Sequence, residues 1–231
     1  MLVRHLLATG AVASCIAGSP AHADDLQNQI LATAKATRSD VYSFRRTLVV
    51  ERAGTPRKVY VEQFDPRRPE ADRWSLISVD GRAPTPKETD QSRKTKRGPV
   101  PSYGELADWI GAPATRGNAP AGYVLFRFAG LPKGSFKIGS HDASPDTQAE
   151  ALVNTRGKVP FVERVRLNLT KGFRMMMVAS IKSMAVNGRY QQLADGHAVP
   201  GDSVSDFAGS MMGKSEQIRT NVSYSDFQKV R

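Results

Sequence analysis

Histidine and cysteine carry much of the acid–base, nucleophilic and metal chemistry of proteins, and this chain holds four of the first and one of the second. His5, Cys15 and His22 fall in the first 23 residues, which leaves His141 and His197 for the body of the chain. His141 precedes Asp142, and His197 follows Asp195-Gly196 in a turn signal. Neither is accompanied by metal-ligand spacing, a nucleophile elbow or a glycine-rich phosphate loop. Ser210 lies between Gly209 and Gly213, a spacing that does not match Gly-x-Ser-x-Gly. The carboxylates are scattered, with no pair spaced for acid–base work. The sequence therefore predicts a non-enzyme, with no catalytic residue, metal or cofactor. Both histidines read as ordinary surface residues, unless one proves to sit in a cleft beside a serine or carboxylate.

The strongest chemical signal is charge. The 231 residues carry a formal net charge of +11 and a pI near 10.0, which is an affinity for anionic partners. The polar stretch from Pro84 to Arg97 concentrates it in Arg93, Lys94, Lys96 and Arg97. These four are the predicted contacts to an anionic surface. Each basic side chain near an anionic membrane contributes about 1 kcal/mol, reduced by salt. A solvated loop is the plain alternative for the same run. No aromatic residue lies between Arg82 and Pro101, so nucleic acid is not the expected partner.

The N-terminus predicts where those anions are met. Arg4 and His5 precede an apolar stretch through Ala17, followed by Pro20 and by Ala21-His22-Ala23. This pattern is a secretory signal peptide, and it is too short for a membrane span. Cleavage after Ala23 removes one of the net positive charges and leaves a chain starting at Asp24-Asp25, with no cysteine. Val12-Ala13-Ser14-Cys15 offers the alternative of a lipoprotein anchored at Cys15. The expected location is the periplasm, with no transmembrane segment after signal removal.

The elements that position everything else are mostly strands. Asp24 to Thr37 reads as a helix with Leu26, Ile30, Leu31 and Ala34 on one face. Val41–Arg52, Lys58–Phe64 and Trp74–Val79 read as a three-strand meander, with Asp80-Gly81 as a hairpin signal. Pro84–Arg97 is a loop or an exposed helix. Ser102-Tyr103-Gly104-Glu105 predicts a capping box for a short helix carrying Leu106, Trp109 and Ile110. Strands follow at Tyr123–Phe128, Ser135–Gly139, across Val165, Leu167 and Leu169, along Phe173–Val186, and across Ile218 to Tyr224. No βαβ alternation appears. The predicted fold is mainly β (α+β): one domain over 24–231, a curved antiparallel sheet forming an open half-barrel, covered by two or three short helices. A bent sheet under small lids leaves an apolar groove. Its predicted lining is Trp74, Trp109, Phe126, Phe128, Val165, Leu167, Leu169, Met175 and Met177, the methionines because they adapt to varied apolar guests.

Three stretches carry a family resemblance. They are Phe161 to Arg174, the hairpin Leu193 to Pro200 with Ser205–Ser210 after it, and Trp74 to Gly81 followed by Pro84-Thr85. They are similar to strands of the periplasmic outer-membrane lipoprotein-sorting, LolA/LolB-like superfamily. The resemblance implies an open half-barrel closed by helices that holds acyl chains of a lipid or lipoprotein. The expected function is thus a periplasmic carrier or sensor in outer-membrane lipoprotein or lipid trafficking, in peripheral contact with anionic membrane. The alternative is an interaction module with a solid core, docking a protein partner or acidic glycan through its basic surface.

Overall fold

A computed structural model describes residues 25–38, 41–94, 102–175 and 179–230. Residues 1–24, on which the expected signal peptide with Ala23 and Cys15 falls, lie outside the described residues, as do Lys96, Arg97 and Met177. The strands are β1 (Tyr42–Arg52), β2 (Lys58–Phe64), β3 (Trp74–Val79), β4 (Thr115–Gly117), β5 (Tyr123–Phe128), β6 (Lys137–Ile138), β7 (His141–Asp142), β8 (Thr147–Asn154), β9 (Phe161–Leu169), β10 (Phe173–Met175), β11 (Ala179–Gln192), β12 (Ala198–Met211) and β13 (Lys214–Lys229). Eleven of them form one antiparallel sheet in the order β3-β2-β1-β13-β12-β11-β9-β8-β5-β4, with β10 added beside β11. The order is linear, so β3 and β4 are free edges and the barrel stays open. The fold is the mainly β, open half-barrel that the alternating strands predict.

Two helices join it, α1 (Asp25–Ala36) and α2 (Pro86–Lys94), with a 3₁₀ segment at Tyr103–Asp108. No helix among the described residues is long and apolar enough to cross a membrane. Helix α1 buries Ile30 and Ala34 as its apolar stripe requires. It also buries Gln27, whose amide donates to the carbonyls of Ile110 (2.6 Å) and Ala112 (2.7 Å). That pins α1 to the segment following the 3₁₀ turn. Together they cover β5, β8 and β9, and the core forms there around Ile30, Tyr103, Leu106, Trp109, Phe126, Phe128 and Val162.

Three local readings are corrected. The Ser102 side chain makes no cap bond, and the helix after it is 3₁₀. The capping box forms instead at Thr85: Thr85 N–H donates to Glu88 (2.8 Å), and Glu88 N–H donates back to the Thr85 hydroxyl (3.3 Å). Pro86 stands at the first helical position, where its missing N–H costs nothing. The extended run Phe173–Val186 is not one strand, because β10 folds back on β11 with Phe173 opposite Ile181.

Candidate functional site

Cross-strand partners in an antiparallel sheet point to the same face. The register can therefore be followed across the whole sheet. One row runs Phe126, Ala151, Val165, Gly188, Ser203, Val222, Leu48, Tyr60, Val79, crossing nine strands from β5 to β3. The next row runs Phe128, Ala149, Leu167, Val186, Ser205, Thr220, Val50. Phe126 and Phe128 lie in the core with α1, so both rows face the helix side.

The two ends of each row differ in cover. Phe126, Ala151 and Val165 are buried under the helices, whereas Ser203, Val222, Leu48, Val186 and Val50 remain half-buried. The middle of the sheet thus presents an apolar face that its own helices do not close. Its floor is low, because Gly188 and Ser203, with the smallest side chains, stand at the centre of the row. A Cβ at Gly188 would come within 3.1 Å of Val165. The opposite face carries ion pairs beside half-buried Val49, Val59, Val61 and Val204. Arg127 pairs with Glu150, Arg189 with Asp202 and Arg219 with Asp206. A cleft of about 730 Å³ at the far end of β11–β13 is lined by polar and apolar residues alike, among them Glu51, Asp206, Arg219, Met184, Phe207 and Ile218.

An aromatic wall bounds the apolar face at the β1–β3 end. Phe44 stacks on Phe64 with centroids 5.1 Å apart, and Trp74 packs against both. Arg46 lies 4.0 Å over the Trp74 ring and donates to Glu62 at 3.0 Å. Register places Arg46, Glu62 and Tyr224 side by side. Burial raises the Tyr224 hydroxyl pKa, against the lowering pull of Arg46. Across the hollow, Glu105 extends from the 3₁₀ segment toward Tyr190 and Tyr224. Its side chain is open to water, yet protein surrounds it closely enough that desolvation pushes its carboxyl up to about 7, with Asp108 adding repulsion. Burial also raises Tyr190, which packs edge-on against Tyr103 at 5.2 Å. The Tyr103 hydroxyl accepts from Val162 N–H at 2.8 Å.

The residues expected to line the groove divide between the two ends. Trp109, Phe126, Phe128 and Val165 are 7%, 2%, 1% and 7% exposed and belong to the packed core; Trp109 sits edge-on to Phe128 at 5.2 Å. Leu167 and Leu169 are half-buried on the β9 side of the open face, and Trp74 forms part of the aromatic wall. Met175 lies on β10, at the far corner of the sheet. Arg93 and Lys94 are exposed in the last turn of α2. Sequence reading missed Leu48, Val50, Val186, Val222 and Glu105. The four aliphatics were legible only through register, which a single strand's alternation does not give.

Neither histidine is the open surface residue expected, since both are half-buried and His197 stands beside a carboxylate. His141 stacks on Phe173, with centroids 3.7 Å apart. His197 has its Nδ1 3.1 Å from Asp195. That carboxylate also accepts from the Tyr42 hydroxyl (2.5 Å) and from Lys229 (3.1 Å). These bonds hold Asp195 well below the usual carboxylate range, while burial and Asp195 push Tyr42 up. The cluster ties the β11–β12 hairpin to the ends of β1 and β13. Among the described residues, no group of three or more His, Cys, Asp or Glu is placed to hold a metal.

Fold and face together define an open antiparallel half-barrel, helix-covered at one end and apolar across its uncovered middle. Among solved structures, the chain is similar to a LolA superfamily protein from Nitrosomonas europaea, at 12% identity and a TM-score of 0.42, covering 89% of this chain and 93% of that one. No protein family matches the sequence, and no curated protein matches it.

Proposed function

We propose that the protein is an exported, non-catalytic carrier or sensor that holds the acyl chain of a lipid or lipidated ligand on the apolar face of its half-barrel. The observation that carries this reading is the unbroken cross-strand row, buried at Val165 and half-exposed from Ser203 to Tyr60. On the helix side, Leu48, Val50, Val186 and Val222 surround Ser203 and Ser205 where water still reaches. Such patches mark ligand grooves. Leu48, Val50, Val186, Val222, Leu167 and Leu169 form the lining, and Trp74 closes one end. Trp109, Phe126, Phe128 and Val165 close its helix-covered end. Arg46, Tyr224 and Glu105 supply polar groups for the ligand's head. The basic run Arg93, Lys94, Lys96 and Arg97 makes peripheral contact with anionic membrane, and residues 1–23 direct export.

The test is a titration with a fluorescent fatty acid, comparing wild type with Ser203→Phe. Ser203 sits between Gly188 and Val222 at the centre of the row, so the new ring fills the space an acyl chain needs. Wild type should bind, and Ser203→Phe should lose at least about tenfold in affinity while keeping its melting temperature, since buried apolar contact of that size is worth more than about 1.4 kcal/mol. Equal binding by both proteins, or none by wild type, would count against the carrier. The packed core under α1 gives the interaction module its support, and absence of fatty-acid binding would favour it.

A further inference from the structure

At the end of the sheet farthest from the aromatic wall, the register brings Met175, Ala179, Met211 and Lys214 into one line across β10, β11, β12 and β13. The β12–β13 hairpin turns at Met212-Gly213. Met211 is 53% exposed and Met212 is 79% exposed. Two large apolar side chains at the tip of the longest hairpin are costly in water and are not needed for the turn. The backbone sharpens this point. Met212 and Gly213 have φ of 52° and 79°, as a tight hairpin requires. The same chain builds the same turn after β3 with Asp80-Gly81, at φ of 52° and 81°. Left-handed backbone favours Asn, Asp and Gly, and is unusual for an unbranched apolar residue. At the tip, methionine stands where the chain elsewhere uses aspartate. It pays both for its exposure and for its conformation, a combination that points to a function.

The surroundings indicate what the tip meets. Lys214 pairs with Met211, Arg174 lies in the adjacent row, and Lys171 and Lys182 follow a few residues further from the tip along the neighbouring strands; all four are exposed. Glu216, the nearest carboxylate along β13, is paired with Arg52 at 3.5 Å. Apolar side chains at a tip, ringed by cations, match the layering of an anionic bilayer, with headgroups outside and acyl chains beneath. We infer that the β12–β13 hairpin tip is a membrane-docking element that inserts Met211 and Met212 into an anionic phospholipid surface while Lys171, Arg174, Lys182 and Lys214 engage the headgroups. This surface is separate from the run at Arg93. It also lies about 20 Å along β12 from Ser205, at about 3.3 Å per residue, beyond the reach of the proposed acyl-chain lining.

The test is flotation of the purified protein with vesicles of phosphatidylcholine alone or mixed with phosphatidylglycerol. Wild type should float with the anionic vesicles, weakly or not at all with the neutral ones, and less in high salt. Met211→Ser with Met212→Asn should cut partitioning at least about tenfold. The variant's fold should be intact, because asparagine suits the left-handed position, and its melting temperature checks this. Lys182→Ser with Lys214→Ser should weaken anionic binding and flatten its salt dependence. Fatty-acid uptake by the methionine variant should equal that of wild type, so failure here leaves the carrier reading standing. Wild type that ignores anionic vesicles, or a methionine variant that binds them as wild type does, overturns the proposal. A protein partner captured equally by wild type and lysine variant, without vesicle binding, overturns it as well.

Discussion

At the scale of single residues, the account turns on polar groups placed beside apolar ones. Arg46 and Glu62 have side chains only 15% and 10% exposed and are joined by direct hydrogen bonds, with Trp74 stacked above. Removing one partner leaves a charge with little water to solvate it. Glu62→Ala should therefore destabilise the protein by about 3 kcal/mol in urea unfolding, while Arg46→Leu with Glu62→Leu should recover most of that loss. Glu105 gives a pH signature. Its carboxyl is raised to about 7 by desolvation, so the folded state holds this proton more tightly than the unfolded state. The stability from that proton is present below the ordinary glutamate range and is lost as pH rises toward 7. Thermal unfolding between pH 5 and pH 8 should show a decline that Glu105→Gln removes; a slope unchanged in the variant would show that Glu105 is well solvated. Glu105 fits the capping spacing from Ser102, and only the three-dimensional placement beside Tyr190 and Tyr224 reveals its other surroundings.

At the scale of elements, legibility followed hydrophobic contrast. The strands β1, β2, β3, β5 and β9 alternate large apolar with polar side chains, and their predicted bounds lie close to the observed ones. Strand β8 was missed because its buried side carries Thr147, Ala149, Ala151 and Val153, residues too small to signal a period. Those small side chains lie opposite large ones such as Phe126 and Phe128, a complementarity visible only across strands. Strand β12 was missed as well. Its Pro200, Gly201, Ser203, Ser205 and Gly209 are poor strand formers, held extended by pairing on both sides with β11 and β13. Gly209 has a local reason, since a Cβ there would lie 2.0 Å from the Ser180 carbonyl. Any side chain at that position should force β11 and β12 apart, and Gly209→Val should lower the melting temperature by several degrees, in line with an overpacking cost of about 1–3 kcal/mol. Helix α2 depends on its cap. Thr85→Ala should cost about 1 kcal/mol, read as faster amide exchange along Pro86–Lys94 with little change in global unfolding.

At the scale of the whole molecule, the governing fact is a linear strand order. A sheet of this size without closure has a helix side wider than α1 and the 3₁₀ segment can cover, so β1, β9, β11 and β13 keep aliphatic residues at the boundary with water. The helix-then-strand order and the two-faced strands were legible in the sequence. The location of the uncovered part was not, because the large aromatics that looked like lining, Trp109, Phe126 and Phe128, pack against the helices and close that end. Smaller aliphatics contributed by four separate strands form the open part instead. The most direct test of the central claim is native mass spectrometry of the protein purified from its own host without delipidation. The account predicts a species heavier than the polypeptide by the mass of one lipid or acylated ligand, released by organic extraction and diminished in Ser203→Phe. A single ligand-free mass, from a protein that also takes up no fluorescent fatty acid, would contradict it.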